Sequence, residues 1–288
     1  MPWAPAASDR FYRLLVRVAL LLRRLFGIRL LVTGQDHLPD PAAGNRTART
    51  VRPGGGAVVA THFGYLDFAA AELVFWAHNR GQLRFMIHQG AADHWLAGPF
   101  ISAAGQVVVG YGSRAAAYDD AVARLRAGEY LAVMPEAGVS RSFRVRECKT
   151  GAVRMAAEAG VPLIPVSVWG AHRILTRGNR LPLHRIRRAP VRVHIGEPVH
   201  PAAGTDPEQE TARLRKTLQA GIDAAIASFP VAARPGDWWM PADLGGGAIS
   251  EAERQRLDAA DLARDRRRAS RTAAFPDKSS PDGNPRSE

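Results

Sequence analysis

Short apolar runs that alternate with helical patterns constrain the fold of this chain more than any other feature of its sequence. The runs are typical of buried β-strands and occur at 57–60, 83–87, 107–109, 130–134, 161–168 and 191–195. Helical patterns separate most of them, at 66–77, 93–104, 115–127 and 151–159. This alternation predicts an α/β domain in which helices flank a mainly parallel or mixed central sheet. Functional sites in such domains gather at the carboxyl ends of the strands.

An amphipathic pattern precedes the first strand-like run. Four arginines, at positions 10, 13, 17 and 24, fall within about one sixth of a helical wheel. Leucine and phenylalanine side chains of the segment 11–26 fill the adjoining arc of about 140°. An arginine stripe beside a broad apolar face suits a helix at a membrane interface, and the alternative is a helix packed on the domain. We favour the membrane, since five arginines in fifteen residues exceed what solubility requires.

Charge and cysteine content restrict the partners of the chain. The 288 residues carry a formal net charge of +12, which favours an anionic partner such as nucleic acid, a phospholipid surface or a phosphorylated substrate. The single cysteine, Cys148, excludes an intramolecular disulfide framework and a cysteine-based zinc site, and it fits a reducing compartment. No uninterrupted apolar stretch reaches the length of a standard spanning helix, so we expect no such helix. Arginines interrupt the candidate signal sequence, so we expect no cleavable signal peptide.

A histidine follows the apolar run at 57–60. His62 would lie at the end of a strand, and Asp67, five residues later, would lie about one helical turn away. The helix start disfavours a charged imidazole, and the carboxylate can fix its tautomer. The pair therefore suits general acid–base catalysis of acyl transfer. His88 and Asp93 repeat the same spacing after another strand-like run, so the spacing alone does not choose between the two pairs.

Two further groups follow strand-like runs. Arg114 comes after a glycine-containing turn at the start of a helical pattern, where an arginine and helix-start amides suit a phosphate. Glu136 leaves the run at 130–134 and precedes small residues and a basic cluster at 141–149. This arrangement suits a polar binding loop, and the alternative for both groups is a solvated surface.

In this order, the three groups resemble the PlsC-type lysophospholipid acyltransferases, of which 1-acylglycerol-3-phosphate acyltransferase is the type member. The segment 61–67, THFGYLD, is similar to the family block N-H-x-S-x-x-D, and 134–140, MPEAGVS, is similar to F-P-E-G-T-R-S. The segment 161–166, VPLIPV, matches a further block closely. The resemblance covers about residues 30–230. It favours His62 and Asp67 over the second pair, because His88 falls between the first two blocks.

The chain departs from the family pattern at several positions. Thr61 replaces the usual asparagine and Gly64 the usual serine, so hydrogen bonds around the base are expected to differ. Ala137 and Gly138 replace the usual Gly-Thr pair, and Val139 stands where an arginine is common. Arg141 and Arg144 are candidates for the missing cation.

The resemblance implies a set of functional residues. Catalysis is assigned to His62 and Asp67. Substrate binding is assigned to Arg114, Glu136, Ala137, Gly138, Ser140 and Arg141. Neither a metal nor a cofactor is expected, with acyl-CoA or acyl-carrier protein as co-substrate. The chain then divides into a membrane-interface helix (1–29), an acyltransferase domain (30–230) and a largely flexible C-terminal extension (231–288).

The resemblance also implies an activity, and the basic amphipathic segment indicates a location. We expect transfer of a fatty acyl chain to the free hydroxyl of a lysophospholipid, with 1-acylglycerol-3-phosphate as the favoured acceptor and phosphatidic acid as the product. The enzyme is expected on the cytoplasmic face of the cell membrane, as a peripheral or monotopic protein at an anionic surface. The alternatives are an acyltransferase for another lysophospholipid, a lyso-aminolipid or a glycolipid, and a basic nucleic-acid-binding protein. The last is disfavoured because no nucleic-acid motif occurs and the basic residues are not interleaved with stacking aromatics.

Overall fold

A central sheet organises the computed structural model, which describes residues 6–38, 55–95, 98–110, 114–136, 138–179 and 186–274. The strands are β1 (Arg29–Thr33), β2 (Gly56–Ala60), β3 (Leu83–His88), β4 (Val107–Val109), β5 (Tyr130–Val133), β6 (Leu163–Trp169) and β7 (Pro190–Ile195). The helices are α1 (Ala6–Phe26), α2 (Asp67–Asn79), α3 (Gln89–Ala92), α4 (Gly98–Ala103), α5 (Arg114–Arg126), α6 (Gly151–Ala159), α7 (Pro207–Ala227) and α8 (Glu251–Ala274).

The sheet has seven strands in the order β1-β7-β6-β2-β5-β3-β4. The strands from β6 to β4 run parallel to one another, β7 is antiparallel to β6, and β1 is parallel to β7. The predicted α/β fold with a mainly parallel or mixed sheet is therefore confirmed. Strand β2 lies between β6 and β5 and all its residues are buried, which explains its uninterrupted apolar sequence.

Helices cover both faces of the sheet. On one face, residues of α5, α6 and α7 form a buried cluster with β2, β5 and β6, and Trp239 and Met240 join this cluster. On the other face, α2 packs on β2, β6 and β7. The described part of the C-terminal extension therefore contacts the domain, and α8 adds a buried arginine, Arg254.

Helix α1 is attached to the domain by one of its faces. Tyr12 and Val16 are buried against Leu73 of α2 and Ala104. The Tyr12 hydroxyl donates to the buried carboxylate of Glu72 and accepts a hydrogen bond of 3.0 Å from the Leu83 backbone amide. The contact fixes the helix beside α2, so the amphipathic pattern does form a helix and part of its apolar surface is used within the protein.

The single helix predicted over 93–104 is wrong. The structure has α3 and α4 on either side of a break, and residues 96 and 97 lie outside the described residues. Pro99 lies in the first turn of α4, where its missing N–H costs nothing and its fixed φ favours the start of a helix. The proline therefore starts a new helix where the apolar pattern alone suggested continuity.

Close packing of α7 on β6 gives a test of the fold. A Cβ atom added at Gly221 would lie 2.4 Å from Ser167 Oγ and 2.9 Å from Ser167 Cβ. We expect Gly221→Ala to lower the free energy of unfolding by about 1–3 kcal/mol, because the helix must move away from the strand. Urea denaturation measures the change.

Gly151, at the start of α6, is the matched control. No atom lies within 4 Å of a Cβ built there, so Gly151→Ala should leave stability equal or raise it by about 0.5–1 kcal/mol. A Gly221→Ala protein as stable as the Gly151→Ala protein would contradict this account of the α7 contact.

Candidate active site

The predicted site residues follow strands that end at one edge of the sheet. His62 follows β2 and Glu136 follows β5, its parallel neighbour. Arg114 follows β4 at the same edge, with β5 and β3 between β4 and β2. At the usual spacing between strands, the end of β4 lies about 14 Å from the end of β2. Residues 111–113 before it lie outside the described residues.

His62 and Asp67 face each other across a tight turn. His62 Nδ1 lies 3.8 Å from Asp67 Oδ2, and Asp67 is fully buried at the start of α2. The same oxygen accepts hydrogen bonds of 2.6 Å from the Phe63 amide and 2.7 Å from the Gly64 amide. Asp67 thus closes the turn that carries the histidine. Within the described residues, neither His62 Nδ1 nor Asp67 Oδ1 has a hydrogen-bond partner.

The gap between these two side chains is short enough to close. A displacement of under about 1 Å brings Nδ1 to hydrogen-bond distance of the carboxylate, and catalytic hydrogen bonds often tighten only when substrate binds. Burial raises the pKa of Asp67, while interactions with His62 and the two amides lower it in part. The carboxylate is thereby placed to stabilise a positively charged imidazole, the state that follows proton abstraction.

Glu136 belongs to the segment 134–140, which we call the third motif, and it binds the backbone of the segment 61–67, the first motif. Its Oε1 accepts a hydrogen bond of 2.9 Å from the His62 amide, and its Oε2 accepts one of 2.9 Å from the Arg146 amide. The Ser140 amide donates to the His62 carbonyl at 2.8 Å and completes the link. Burial raises the pKa of Glu136 to about 7 against the opposing effect of these amides and of the nearby charges. Both carboxylate oxygens of Glu136 therefore accept hydrogen bonds from backbone amides, a role that the sequence pattern did not indicate.

The two departures in the first motif have local explanations. The Thr61 hydroxyl accepts a hydrogen bond of 2.9 Å from the Val168 amide in β6. A Cβ atom at Gly64 would lie 2.7 Å from His172 Cα and 2.8 Å from the Leu175 carbonyl oxygen, so a serine does not fit there. The Thr176 hydroxyl also donates to the Phe63 carbonyl at 2.5 Å. Residues 172–176 therefore support the histidine turn, and no sequence signal pointed to them.

The remaining histidines of interest have local roles. His172 is buried between aromatic rings, its Nε2 lies 3.0 Å from the Trp239 carbonyl oxygen, and burial lowers its pKa to about 3. His88 lies at the surface and its Nδ1 accepts from the Gly90 amide, while Asp93 accepts from Gln89. Neither arrangement matches the buried carboxylate beside His62.

The small residues of the third motif, and the arginines that follow it, contact other parts of the protein. Gly138 lies beside the Arg146 guanidinium, and the buried Ser140 hydroxyl donates to the Arg144 carbonyl at 2.7 Å. Arg141 forms ion pairs with Asp258 and Asp261 of α8. Ala137 lies outside the described residues.

Arg144, the other candidate for the missing cation, is held elsewhere. It pairs with Asp223 and Asp243; burial lowers its pKa, but the hydrogen bonds that it donates to these carboxylates raise the pKa overall. The predicted substrate contacts of this loop remain predictions.

Comparisons with known proteins agree with this architecture. Residues 29–169 match the family model described as Acyltransferase. Seven chains of solved structures match, among them the 1-acyl-sn-glycerophosphate acyltransferase PlsC from Thermotoga maritima. That structure is 20% identical, with a TM-score of 0.59, over 80% of this chain and 86% of its own. Among curated proteins, no sequence matches the chain.

The fold and the matched region define an acyltransferase. The seven-stranded mixed sheet with flanking helices is similar to that of the Thermotoga enzyme, and the matched region contains the His62 turn and the Glu136 loop. Residues 29–169 form an acyltransferase domain, and the fold of the chain is similar to that of a PlsC enzyme.

The Glu136 bridge gives a test of how the histidine is held. In Glu136→Gln, the amide nitrogen of the new side chain faces one of the two backbone N–H groups, which loses its acceptor. We expect the free energy of unfolding to fall by about 1–3 kcal/mol and kcat to fall at least about tenfold as His62 shifts. Urea denaturation and steady-state kinetics measure the two effects. Glu158→Gln, at a half-exposed position on α6, is the control and should change neither.

The difference in unfolding free energy between the wild type and Glu136→Gln should also depend on pH. Because the folded pKa of Glu136, about 7, lies above the ordinary 4.5, the native protein retains a proton between these values that the unfolded chain releases. Raising the pH through this window therefore lowers the stability of the wild type relative to Glu136→Gln, which does not titrate there. A difference between the two proteins that is the same from about pH 5 to about pH 8 would contradict the raised pKa.

Proposed function

We propose that the protein transfers a fatty acyl chain from acyl-CoA or acyl-carrier protein to the free hydroxyl of a lysophospholipid. The favoured acceptor is 1-acylglycerol-3-phosphate, which gives phosphatidic acid. The observation that carries the proposal is the position of His62 at the carboxyl end of β2, with its ring beside the buried carboxylate of Asp67. The acyltransferase family model that matches residues 29–169 supports the reaction type.

His62 is the general base of the proposed mechanism. Because Nδ1 faces Asp67, Nε2 is the nitrogen that takes the proton of the acceptor hydroxyl. The acceptor oxygen attacks the thioester carbonyl carbon, the C–S bond breaks, and the thiolate leaves with the proton from His62. Asp67 stabilises the imidazolium between these steps. The acyl group passes directly from donor to acceptor, and the mechanism uses no metal or cofactor.

The acceptor is held by its charged end. In the proposal Arg114 and the loop of Glu136, Ala137, Gly138, Ser140 and Arg141 position the glycerol phosphate relative to His62. Glu136 acts on this loop through the backbone, since both its oxygens accept amide hydrogen bonds. Orientation of the hydroxyl beside the base contributes several kcal/mol to lowering the barrier.

Helix α1 supports an association with the membrane surface. Its buried face, with Tyr12 and Val16, packs on the domain, whereas five large apolar side chains are 44–73% exposed. These are Leu14, Val18, Leu21, Leu22 and Leu25. Arg13, Arg17 and Arg24 are exposed on the same helix, so apolar contact with acyl chains and attraction to anionic head groups act together.

We therefore propose a peripheral location at the cytoplasmic face of the cell membrane. Among the described residues, no helix combines the length and the apolar character that crossing a bilayer requires. The exposed rings of Trp95 and Phe100 lie on the segments around α4, and Phe100 contacts Phe11 of α1 with ring centroids 6.1 Å apart. Phe100 thereby extends the apolar surface of α1.

Replacing the proposed base tests the reaction. His62→Ala should reduce acyl transfer to lysophosphatidate by about 10²–10⁴-fold, since general base catalysis supplies that much of the rate. Circular dichroism should show an unchanged fold. His88→Ala, which removes the other histidine with the same spacing, should retain activity. A His62→Ala protein with activity near that of the wild type would exclude the mechanism.

The same assay identifies the acceptor. A panel of lysophosphatidate, larger lysophospholipids, a lyso-aminolipid and a glycolipid, with one acyl donor, should show the highest kcat/KM for lysophosphatidate. A higher kcat/KM for another acceptor would leave the acyl-transfer reaction as proposed and show that lysophosphatidate is not the preferred acceptor.

Vesicle binding tests the role of α1. The double variant Leu21→Ser/Leu25→Ser removes exposed apolar surface without touching the buried face of the helix. Sedimentation with vesicles of phosphatidylglycerol and phosphatidylcholine should show binding weakened at least about tenfold, because each leucine side chain loses about 1.5–3 kcal/mol of burial at most.

The control variant is Leu262→Ser, which replaces a similarly exposed leucine on α8. It should bind vesicles like the wild type. Equal partitioning of all three proteins would exclude α1 as the membrane contact.

A further inference from the structure

Three arginines of the acyltransferase domain converge on two carboxylates of the C-terminal helix. We call Arg141, Arg146 and Arg177 the arginine cluster. Arg141 Nη2 lies 2.7 Å and Arg177 Nη2 2.9 Å from the same oxygen of Asp261, while Arg146 Nη2 lies 3.0 Å from Asp258 Oδ2. Arg141 Nη1 also lies 3.5 Å from Asp258 Oδ1. Two acidic side chains of α8 thus bind three cations from two different loops.

The arginine cluster borders the catalytic turn. Arg141 follows Ser140, whose amide donates to the His62 carbonyl. Arg146 donates its own amide to Glu136, which accepts the His62 amide with its other oxygen. Arg177 follows Thr176, whose hydroxyl donates to the Phe63 carbonyl. Each arginine is therefore at most one residue from a group that is hydrogen-bonded into the first or the third motif.

The chemistry of the arginine cluster is that of a phosphate site. Guanidinium groups that present several N–H donors to one anion bind carboxylates and phosphates in the same way. Arg254 and Arg264 of α8 also pair with Asp258 and Asp261, so the guanidinium groups at the site outnumber these two carboxylates. Arg141 and Arg146 are only 16–17% exposed, so these charges depend on their partners, and Arg177 at 45% opens the cluster to solvent. Removing the carboxylates without a replacement would leave largely buried positive charges unpaired, which costs stability. Exchange for another anion keeps the arginines paired.

Helix α8 has a second attachment that lies N-terminal to these carboxylates. The buried Arg254 guanidinium pairs with Glu147 at 3.2 Å and with Glu251 of its own helix, and Glu251 accepts a hydrogen bond of 2.8 Å from the Ser142 hydroxyl. These contacts hold the first turn of the helix to the loop that follows the third motif. Asp258 and Asp261 follow one and two turns later, and Leu262 beside them is 52% exposed. The helix can therefore lose the arginine contacts and remain attached by its first turn.

We propose that α8 is an internal competitor for the phosphate of the acceptor at the arginine cluster. This proposal rests on the proposed function and deepens it. The carboxylates of Asp258 and Asp261 occupy the arginines until a phosphate monoester displaces them, so the helix raises the KM for acceptors that carry this group. An acceptor with a zwitterionic head group gains less from the exchange, and the helix affects its KM less.

The double variant Asp258→Asn/Asp261→Asn tests the competition. Removing both negative charges should lower the KM for lysophosphatidate about tenfold, the effect of losing about 1.4 kcal/mol of competing interaction. The KM for the acyl donor should not change, and kcat should stay within about twofold because the groups around His62 are intact. Inorganic phosphate, tested as an inhibitor, should act at a lower concentration on the variant if the arginine cluster binds free phosphate as well as the lipid head group.

The matched control lies on the same helix. Glu253→Gln also removes one carboxylate from α8, but Glu253 pairs with the exposed Arg256 of its own helix. This variant should have the KM of the wild type. The single variant Asp261→Asn keeps Asp258 paired with Arg146 and Arg254, so it tests the same exchange with less risk to folding and should give a smaller decrease in KM.

The outcomes separate this inference from the proposed function. A wild type without acyl transfer to any lysophospholipid would overturn both. A wild type that is active on lysophosphatidate, together with an unchanged or higher KM in folded Asp258→Asn/Asp261→Asn and Asp261→Asn proteins, would overturn only the role of α8. A decrease of the same size for lysophosphatidylcholine would also overturn it, since the effect would then not depend on the phosphate monoester.

Discussion

The carboxylate of Glu136 is the interaction on which the arrangement of the site depends. It binds the amides of His62 and Arg146, which belong to segments that follow different strands. A buried carboxylate is costly unless its oxygens accept hydrogen bonds, and here each oxygen accepts one from the backbone. The histidine at the end of β2 is therefore held in place by the loop after β5. This link explains why one acidic residue belongs in the third motif even where its neighbours depart from the family pattern.

The arginines of α1 and those around the third motif have different surroundings. On α1, exposed arginines lie beside exposed leucines, an arrangement that suits a lipid surface. Around the third motif, most described arginines are paired with carboxylates from α7, α8 and the segment between them. The net charge of +12 therefore overstates how much positive charge is free near the histidine. Arginines that looked available in the sequence are bound to the protein itself.

Much of the fold was predictable because its signals are local. The apolar runs gave β4 with its observed bounds and placed β2, β3, β5, β6 and β7 within two residues at each end. Helix α6 also had its predicted bounds. The helix predicted over 93–104 begins too early, because an apolar pattern does not register that a proline favours the first turn of a helix. For the site, the sequence order placed His62 and Asp67 on one turn, and the parallel sheet brought the residue after β5 to the same edge.

The sequence by itself determined the alternation of strands and helices, the histidine turn and the amphipathic helix, because each depends on residues within a few positions of one another. Only the tertiary structure decided which groups those residues meet. Glu136 binds the amide of a residue 74 positions away, and Arg141 binds carboxylates 117 and 120 positions away. Periodicity and spacing describe neighbours along the chain, whereas these partners are chosen by how the sheet and its covering helices bring distant segments together. The arginines in the sequence could bind either a phosphate or carboxylates. The packing of α8 gives them carboxylates as partners.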